Sequence, residues 1–220
     1  MMRTLSVLKW VPPFARGSVK EFRVRWALEE AGLPYEERVL TPADQDAADY
    51  RALQPFGQVP VLEEDGFELF ESGAIVLRIA EKSEVLLPRD ERTRAKAIQW
   101  MFAAQTSVQP SIDQVTALDF FYPEEEWAKL RRPGAEDFLK RRLGQLAGRL
   151  EGREWLEDRF TAGDLMMATV LRDLRHRDFL SGFPALAGYV KRCEARPAFQ
   201  RALADHMALY AEAAKAEAAE

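Results

Sequence analysis

Two neighbouring residues, Glu71 and Ser72, stand where an apolar helix is predicted to begin. The Ser72 hydroxyl and the first free backbone N–H groups of such a helix converge at the positive end of its dipole, which favours a carboxylate. The Glu71 side chain beside them would complement an ammonium group. The pair therefore suits the end of a free α-amino acid, which carries both charges on one carbon. An ordinary serine helix cap is the alternative.

A second candidate is Pro60, which lies between strand-like residues in Val59-Pro60-Val61. Because proline removes a ladder hydrogen bond, we expect it to begin a strand rather than occupy its middle. A cis Val59–Pro60 bond would leave the Val59 backbone N–H and C=O free to pair with an extended peptide. A trans proline at a strand edge is the alternative.

The elements that must position these residues alternate between strand and helix. Alternating polarity predicts strands at 4–8 and 35–40, and apolar residues at three- and four-residue spacing predict a helix from Ser18, its expected N-cap, to Gly32. A short helix is expected within 42–53.

A hairpin follows, with strands at 58–62 and 67–70 joined by the tight-turn pair Asp65-Gly66, and then an apolar helix at 74–80. The first eighty residues are thus predicted to fold in the order β-α-β-α-β-β-α. From residue 91 only helical periodicity remains. The expected interruptions of these helices are at Pro123, Pro133, Gly152, Gly182-Phe183-Pro184 and Pro197.

The predicted fold class is therefore α+β, with an α/β domain at 1–81, a linker at 82–90 and an all-α domain at 91–220. The chain of 220 residues carries 31 basic and 36 acidic side chains, with a net charge of −5 and no basic stripe, which argues against a nucleic-acid partner. Its single cysteine, Cys193, excludes an intramolecular disulfide, a CxxC redox motif and a cysteine metal cluster. With no run of about 20 apolar residues and no signal segment, we expect a cytoplasmic protein without a membrane partner.

Several segments together resemble the glutathione S-transferase family, and in particular a serine-type, bacterial-like member. They occur in matching order and spacing at 18–36, at 55–62 (Pro-Phe-Gly-Gln-Val-Pro-Val-Leu), at 71–75 (Glu-Ser-Gly-Ala-Ile) and at 155–164. In the last segment Thr161 and Asp164 are expected to exchange hydrogen bonds at a buried helix start. The resemblance implies a thioredoxin-like domain that binds glutathione, followed by a helical domain with the pocket for an electrophile.

The same resemblance implies roles for the residues singled out above. Val59, before a cis Pro60, would pair with the cysteinyl backbone of glutathione. Glu71 and Ser72 would hold its γ-glutamyl end, and Gln58 would reach toward its glycyl carboxylate. These roles agree with the amino-acid-end site derived from residue chemistry.

The resemblance also implies a catalytic residue, Ser18, which lies six positions before Val24 as the active serine does in serine-type members. A thiol of pKa near 8.5 is only about 3% thiolate at pH 7, so a hydroxyl that donates to the sulfur would raise the reactive fraction. The loop from Trp10 to Gly17 is longer than the family's usual tight turn. Ser18 could then be a helix cap only, with Arg16 or a backbone amide of this loop facing the sulfur.

The implied activity is that of a glutathione transferase. Glutathione is the co-substrate, no metal takes part, and the thiolate attacks an electrophilic carbon of a small apolar molecule. A homodimer and a role in detoxification follow from the resemblance. The alternatives are a glutathione-transferase-like binding or interaction protein without turnover, and a glutathione-dependent isomerase or dehalogenase that uses the same thiol site.

Overall fold

The computed structural model describes residues 2–217. By their contacts, residues up to Leu87 and residues from Arg196 onward form one compact unit, and Pro88–Ala195 form another. The boundaries expected from the sequence, 1–81, 82–90 and 91–220, stay a prediction. The packing adds that the last helix belongs with the first unit.

The first unit contains a four-stranded mixed sheet in the order β2-β1-β3-β4. Its strands are β1 (Arg3–Leu8), β2 (Glu36–Leu40), β3 (Val61–Glu64) and β4 (Phe67–Phe70). β1 runs parallel to β2 and antiparallel to β3, and β3 and β4 form the predicted hairpin. The thioredoxin-like arrangement followed by a helical region confirms the α+β fold class.

The α-helices of the described residues, in chain order, are α1 (Glu21–Ala31), α2 (Pro42–Asp46), α3 (Ala48–Leu53), α4 (Ser72–Ala80), α5 (Glu91–Ala103), α6 (Gln109–Phe120), α7 (Glu126–Leu150), α8 (Ala162–Arg172), α9 (Pro184–Glu194) and α10 (Pro197–Glu217). The helix expected within 42–53 is divided into α2 and α3, because Ala47 between them adopts an extended conformation with ψ of 145°. A π-helical segment, Ala104–Val108, connects α5 to α6. None of these helices has the length and apolar character needed to cross a membrane.

The expectation that Ser18 caps α1 is wrong. The helix begins at Glu21, and Lys20 occupies the cap position without a side-chain hydrogen bond. Gly17 has a φ of 78°, in the left-handed region, so a right-handed helix cannot extend back through it. Ser18 lies in the turn that follows, three residues before the helix begins, and its N–H donates to the Ala15 carbonyl at 2.9 Å.

The expected break at Pro133 is also wrong, because this proline lies inside α7. Its ring side is exposed to solvent, where water can satisfy the carbonyl that loses its helical N–H donor. The buried face continues on both sides of it through Ala128 and Ala135 to Leu139. Burial of that apolar face offsets the local cost of the proline.

Candidate functional site

The start of α4 presents polar groups that have no hydrogen-bond partner among residues 2–217. Ser72 is the first helical residue, its side chain is only 3% exposed, and its hydroxyl makes no hydrogen bond within the described residues. Because the ladder of α4 begins with the Ile75 N–H donating to the Glu71 carbonyl at 2.9 Å, the preceding N–H groups have no acceptor within the helix. Donors therefore converge on one point at the positive end of the helix dipole.

Glu71 adopts a φ of 70° and a ψ of 109°, an unusual backbone conformation for a residue other than glycine. Such a conformation costs of order 1–3 kcal/mol and persists where the flanking structure imposes it. Here β4 ends at Phe70 and α4 begins at Ser72, which leaves one residue to turn the chain. The Glu71 side chain is exposed and forms no ion pair within the described residues.

The Val59–Pro60 peptide bond is cis, as predicted. The Val59 backbone N–H and C=O have no hydrogen-bond partner within the described residues. Two side-chain hydrogen bonds hold the preceding loop. The hydroxyl of the fully buried Tyr50 donates to the Gln58 carbonyl at 2.7 Å. The Gln45 side-chain amide donates to the Gly57 carbonyl at 2.9 Å. The Gln58 side chain is left exposed.

The sheet register brings these two segments together. Val61 of β3 pairs with Phe70 of β4, so the Val59–Pro60 and Glu71–Ser72 segments leave the hairpin at the same end. β1 is antiparallel to β3 and, beyond its pairing of Leu5 with Leu62, continues toward that end before entering the loop that carries Ser18. The three segments singled out in the sequence thus leave the sheet at one edge.

Ser18 is half-buried in a turn that precedes α1. The loop before it contains a short 3-10 turn, Pro13–Ala15, and the Arg16 guanidinium lies 5.8 Å from the centre of the Tyr210 ring on α10. The Gly17 N–H donates to the Nε2 atom of His206, also on α10, at 2.9 Å. The loop is therefore anchored by a helix far along the chain.

Beneath this loop lies a buried polar cluster made of Glu21, His206 and Tyr210. The Tyr210 hydroxyl donates to Glu21 Oε1 at 3.5 Å, and His206 Nδ1 lies 3.6 Å from the same oxygen. Burial raises the pKa of Glu21 to about 7, against the opposing effect of the Arg25 charge. Burial, and then the Glu21 charge, raise the pKa of Tyr210 as well.

Sequence reasoning did not select this cluster. A signal for it is nevertheless present, because Phe199, Ala202, His206 and Tyr210 recur at three- and four-residue spacing and all are buried. A histidine within such an apolar stripe must find a polar partner inside the fold. The partners, Gly17 and Glu21, lie almost two hundred residues earlier and only the fold reveals them.

The helix start predicted at Thr161 and Asp164 is confirmed in the second unit. The Thr161 N–H donates to Asp164 Oδ2 at 2.9 Å, and the Thr161 hydroxyl accepts from the Gly163 N–H at 3.2 Å. The other carboxylate oxygen, Oδ1, accepts from the Leu156 N–H at 2.9 Å and the Tyr189 hydroxyl at 3.0 Å. Among residues 2–217, no group of three or more His, Cys, Asp or Glu side chains is arranged to hold a metal ion.

Sequence profiles of the glutathione S-transferase N-terminal and C-terminal domains match residues 14–81 and 116–197. The chain belongs to the glutathione S-transferase family. It is 30% identical over 187 residues to the disulfide-bond oxidoreductase YfcG of Escherichia coli, covering 80% of this chain and 86% of that protein.

Two solved glutathione transferases of this family share the fold over most of their length. The one from Burkholderia graminis, with two glutathione molecules bound per subunit, has a TM-score of 0.79 at 30% identity, covering 92% of this chain and 87% of that one. The one from Pseudomonas putida, with one glutathione disulfide bound per subunit, has a TM-score of 0.79 at 28% identity, covering 92% and 90%. The roles of Ser18, Arg16, Gln58, Val59, Pro60, Glu71 and Ser72 stay predictions.

Proposed function

We propose that this glutathione S-transferase family member binds glutathione along the sheet edge described above, ionises its thiol and adds the thiolate to an electrophilic carbon of a small apolar molecule. The observation that carries the proposal is the set of groups at that edge that make no hydrogen bond with residues 2–217. These are the Ser72 hydroxyl, the first N–H groups of α4, and the backbone N–H and C=O of Val59. They match in kind one charged end and the middle of a short peptide.

Each end of glutathione meets a group of suitable chemistry. The γ-glutamyl α-carboxylate accepts from the Ser72 hydroxyl and the α4 N–H groups, and its ammonium faces the Glu71 carboxylate. The cysteinyl backbone pairs with Val59 as one added extended strand, beside the cis Pro60. The exposed Gln58 amide donates to the glycyl carboxylate.

In this proposal the Ser18 hydroxyl donates to the glutathione sulfur. A hydrogen-bond donor stabilises S⁻ more than S–H and therefore lowers the thiol pKa. The released proton passes to solvent. Arg16 is the alternative donor, since it belongs to the same loop. The thiolate then forms a bond to the electrophilic carbon as the leaving group departs with its electron pair.

Replacing Ser18 with alanine tests the assignment. A charge-assisted hydrogen bond contributes roughly 1.5–3 kcal/mol, so Ser18→Ala should raise the pKa of bound glutathione by about one to two units. Thiolate absorbance against pH measures this shift, and calorimetry should show a nearly unchanged glutathione affinity. Turnover should fall at pH 7 and recover as pH rises.

The control variants separate the two donors. Ser18→Thr keeps a hydroxyl, so the pKa of glutathione bound to it should be close to the wild-type value. Arg16→Met removes the other candidate. If Ser18→Ala titrates as wild type while Arg16→Met raises the thiol pKa, the sulfur donor is Arg16 and the Ser18 assignment is wrong.

A second candidate function, glutathione-dependent disulfide exchange, is favoured by the similarity to the oxidoreductase YfcG. The cysteine of this chain, Cys193, is fully buried, so the attacking thiolate would have to come from glutathione. Parallel assays with a chloronitrobenzene and with a small dialkyl disulfide distinguish the two reactions. Glutathione binding with no turnover of either substrate would instead indicate a binding protein.

A further inference from the structure

The last helix, α10, is fixed against α1 by both apolar and ionic contacts. The Phe199 ring packs edge-on against Phe22 and Trp26, with ring centres 5.3 and 5.0 Å apart. The Arg196 guanidinium binds both carboxylate oxygens of Glu30, at 2.6 and 2.8 Å. A bidentate pair and interlocked rings hold α10 in a defined position relative to α1.

This position places His206 under the loop that carries the candidate sulfur donor. His206 is fully buried, and its Nε2 atom accepts the Gly17 N–H at 2.9 Å. Gly17 directly precedes Ser18 and takes a left-handed φ of 78°. The hydrogen bond therefore fixes the backbone at the point where the chain turns into Ser18.

The surroundings of His206 determine which ring nitrogen can accept. A backbone N–H only donates, so Nε2 must be unprotonated and the ring proton must be on Nδ1. Nδ1 lies 3.6 Å from Glu21 Oε1, beyond hydrogen-bonding distance, so this oxygen favours a proton at that nitrogen only electrostatically. The Tyr210 hydroxyl donates to the same oxygen. The cluster thus keeps the acceptor aimed at Gly17.

We propose that His206 is a positioning residue for the thiol-activating loop: through Gly17 it holds the Ser18 hydroxyl at the glutathione sulfur. The inference rests on the proposed function, and it makes α10 a required part of the glutathione site. Nothing in the local sequence around Ser18 supplies this acceptor. It comes from a helix that lies 189 residues further along the chain.

A pair of His206 variants tests the acceptor against the ring. His206→Phe keeps a ring against Phe22 and Tyr210 but has no acceptor, whereas His206→Gln carries an amide oxygen that can reach the Gly17 N–H. We expect His206→Phe to raise the pKa of bound glutathione by about 0.5–1 unit, because a displaced hydroxyl makes a weaker hydrogen bond. His206→Gln should restore most of the shift.

The matched control is His176→Phe, at the other of the chain's two histidines, which should leave the thiol pKa unchanged. The proposal is overturned if His206→Phe is folded and the pKa of glutathione bound to it equals the wild-type value. It is also overturned if the pKa of bound glutathione rises equally in His206→Phe and His206→Gln, since an equal rise would indicate altered packing rather than a lost acceptor.

A measurement at Gly17 itself keeps the proposal testable whatever Ser18 does. Amide hydrogen exchange at Gly17 should speed up at least tenfold in His206→Phe and return toward wild type in His206→Gln, and unchanged exchange would overturn the proposal. The two hypotheses can also fail separately. If Ser18→Ala titrates as wild type while His206→Phe still shifts the thiol pKa, the Ser18 assignment is wrong and the positioning of the loop by His206 stands.

Discussion

The starts of α4 and α8 solve the same physical problem in opposite ways. At α8, the side chains of Thr161 and Asp164 accept hydrogen bonds from N–H groups of the same turn. The Leu156 N–H and the Tyr189 hydroxyl donate to the other oxygen of the Asp164 carboxylate. At α4 the Ser72 hydroxyl and the first N–H groups remain unpaired within the described residues. Ser72 and Thr161 are both largely buried, at 3% and 1% exposed.

The difference shows how to separate a structural helix start from one that suits a ligand. A start saturated by its own side chains contributes its hydrogen bonds to folding. A start with unpaired donors contributes less to stability and keeps those donors for a partner from outside. The backbone conformation of Glu71 supports this interpretation, because it costs free energy while the Glu71 side chain forms no hydrogen bond or ion pair within the described residues.

The largest effect that sharpens this comparison is expected at Asp164. Asp164→Ala leaves the N–H groups of Leu156 and Thr161 without their acceptor and removes one of two acceptors of the Tyr189 hydroxyl, which keeps the residue-164 carbonyl. The free energy of unfolding should therefore fall by about 3–5 kcal/mol. Urea unfolding measures this. Asp164→Asn keeps one acceptor oxygen and should lose less, and equal losses in the two variants would contradict the account.

The first turn of α1 provides an intermediate case, since Glu21 is as buried as Asp164 but has fewer partners. Its pKa is about 7 when folded and near 4.5 in a solvated chain, so its contribution to stability is fully present below about pH 4.5 and is lost as pH rises through 7. Glu21→Gln should remove this loss. Relative to wild type, the variant should gain roughly 3 kcal/mol between these pH values.

Chemical unfolding at a series of pH values checks the Glu21 prediction. If the free energy of unfolding of Glu21→Gln changes with pH as it does in wild type, Glu21 ionises normally in the fold. Ser111→Ala, at a buried neutral residue on a different helix, is the control. Its free energy of unfolding should change with pH as that of wild type does.

At the start of α4 the effects should fall on binding instead of stability. Ser72→Ala removes one hydrogen bond to a carboxylate and should weaken glutathione binding by roughly 1–3 kcal/mol. The free energy of unfolding should change by less than about 0.5 kcal/mol, because the hydroxyl has no partner within the described residues. An unchanged glutathione Kd in calorimetry would break the comparison between the two helix starts.

The smallest effect is expected at Glu71. Glu71→Gly relieves the positive φ and should stabilise the fold by roughly 1 kcal/mol in thermal unfolding, while the loss of the carboxylate weakens glutathione binding. Glu71→Gln separates the two consequences, because it keeps the backbone cost and removes only the charge. If Glu71→Gly destabilises the protein, the backbone at this residue is not strained.

The sequence was most informative where local chemistry decides the structure. The strands, the Asp65-Gly66 hairpin, the capping pair Thr161 and Asp164, and the cis bond at Pro60 all follow from spacing, turn chemistry and the family resemblance. Local rules failed at Pro133, where burial of the continuous apolar face of α7 outweighs the cost of a proline. They also failed at Ser18, which lies in a turn while the helix begins only at Glu21.

The sequence by itself determined the order of elements, the family, and the residue types that could hold a peptide with two charged ends. Only the tertiary structure decided that the Ser72 hydroxyl makes no hydrogen bond within the described part of the chain, and that the last helix lies with the first unit and supplies His206 to Gly17. The physical reason is that helix periodicity and turn chemistry act between neighbours in the chain. Whether a buried donor finds its acceptor depends on contacts between segments far apart in sequence, which only packing brings within hydrogen-bonding distance.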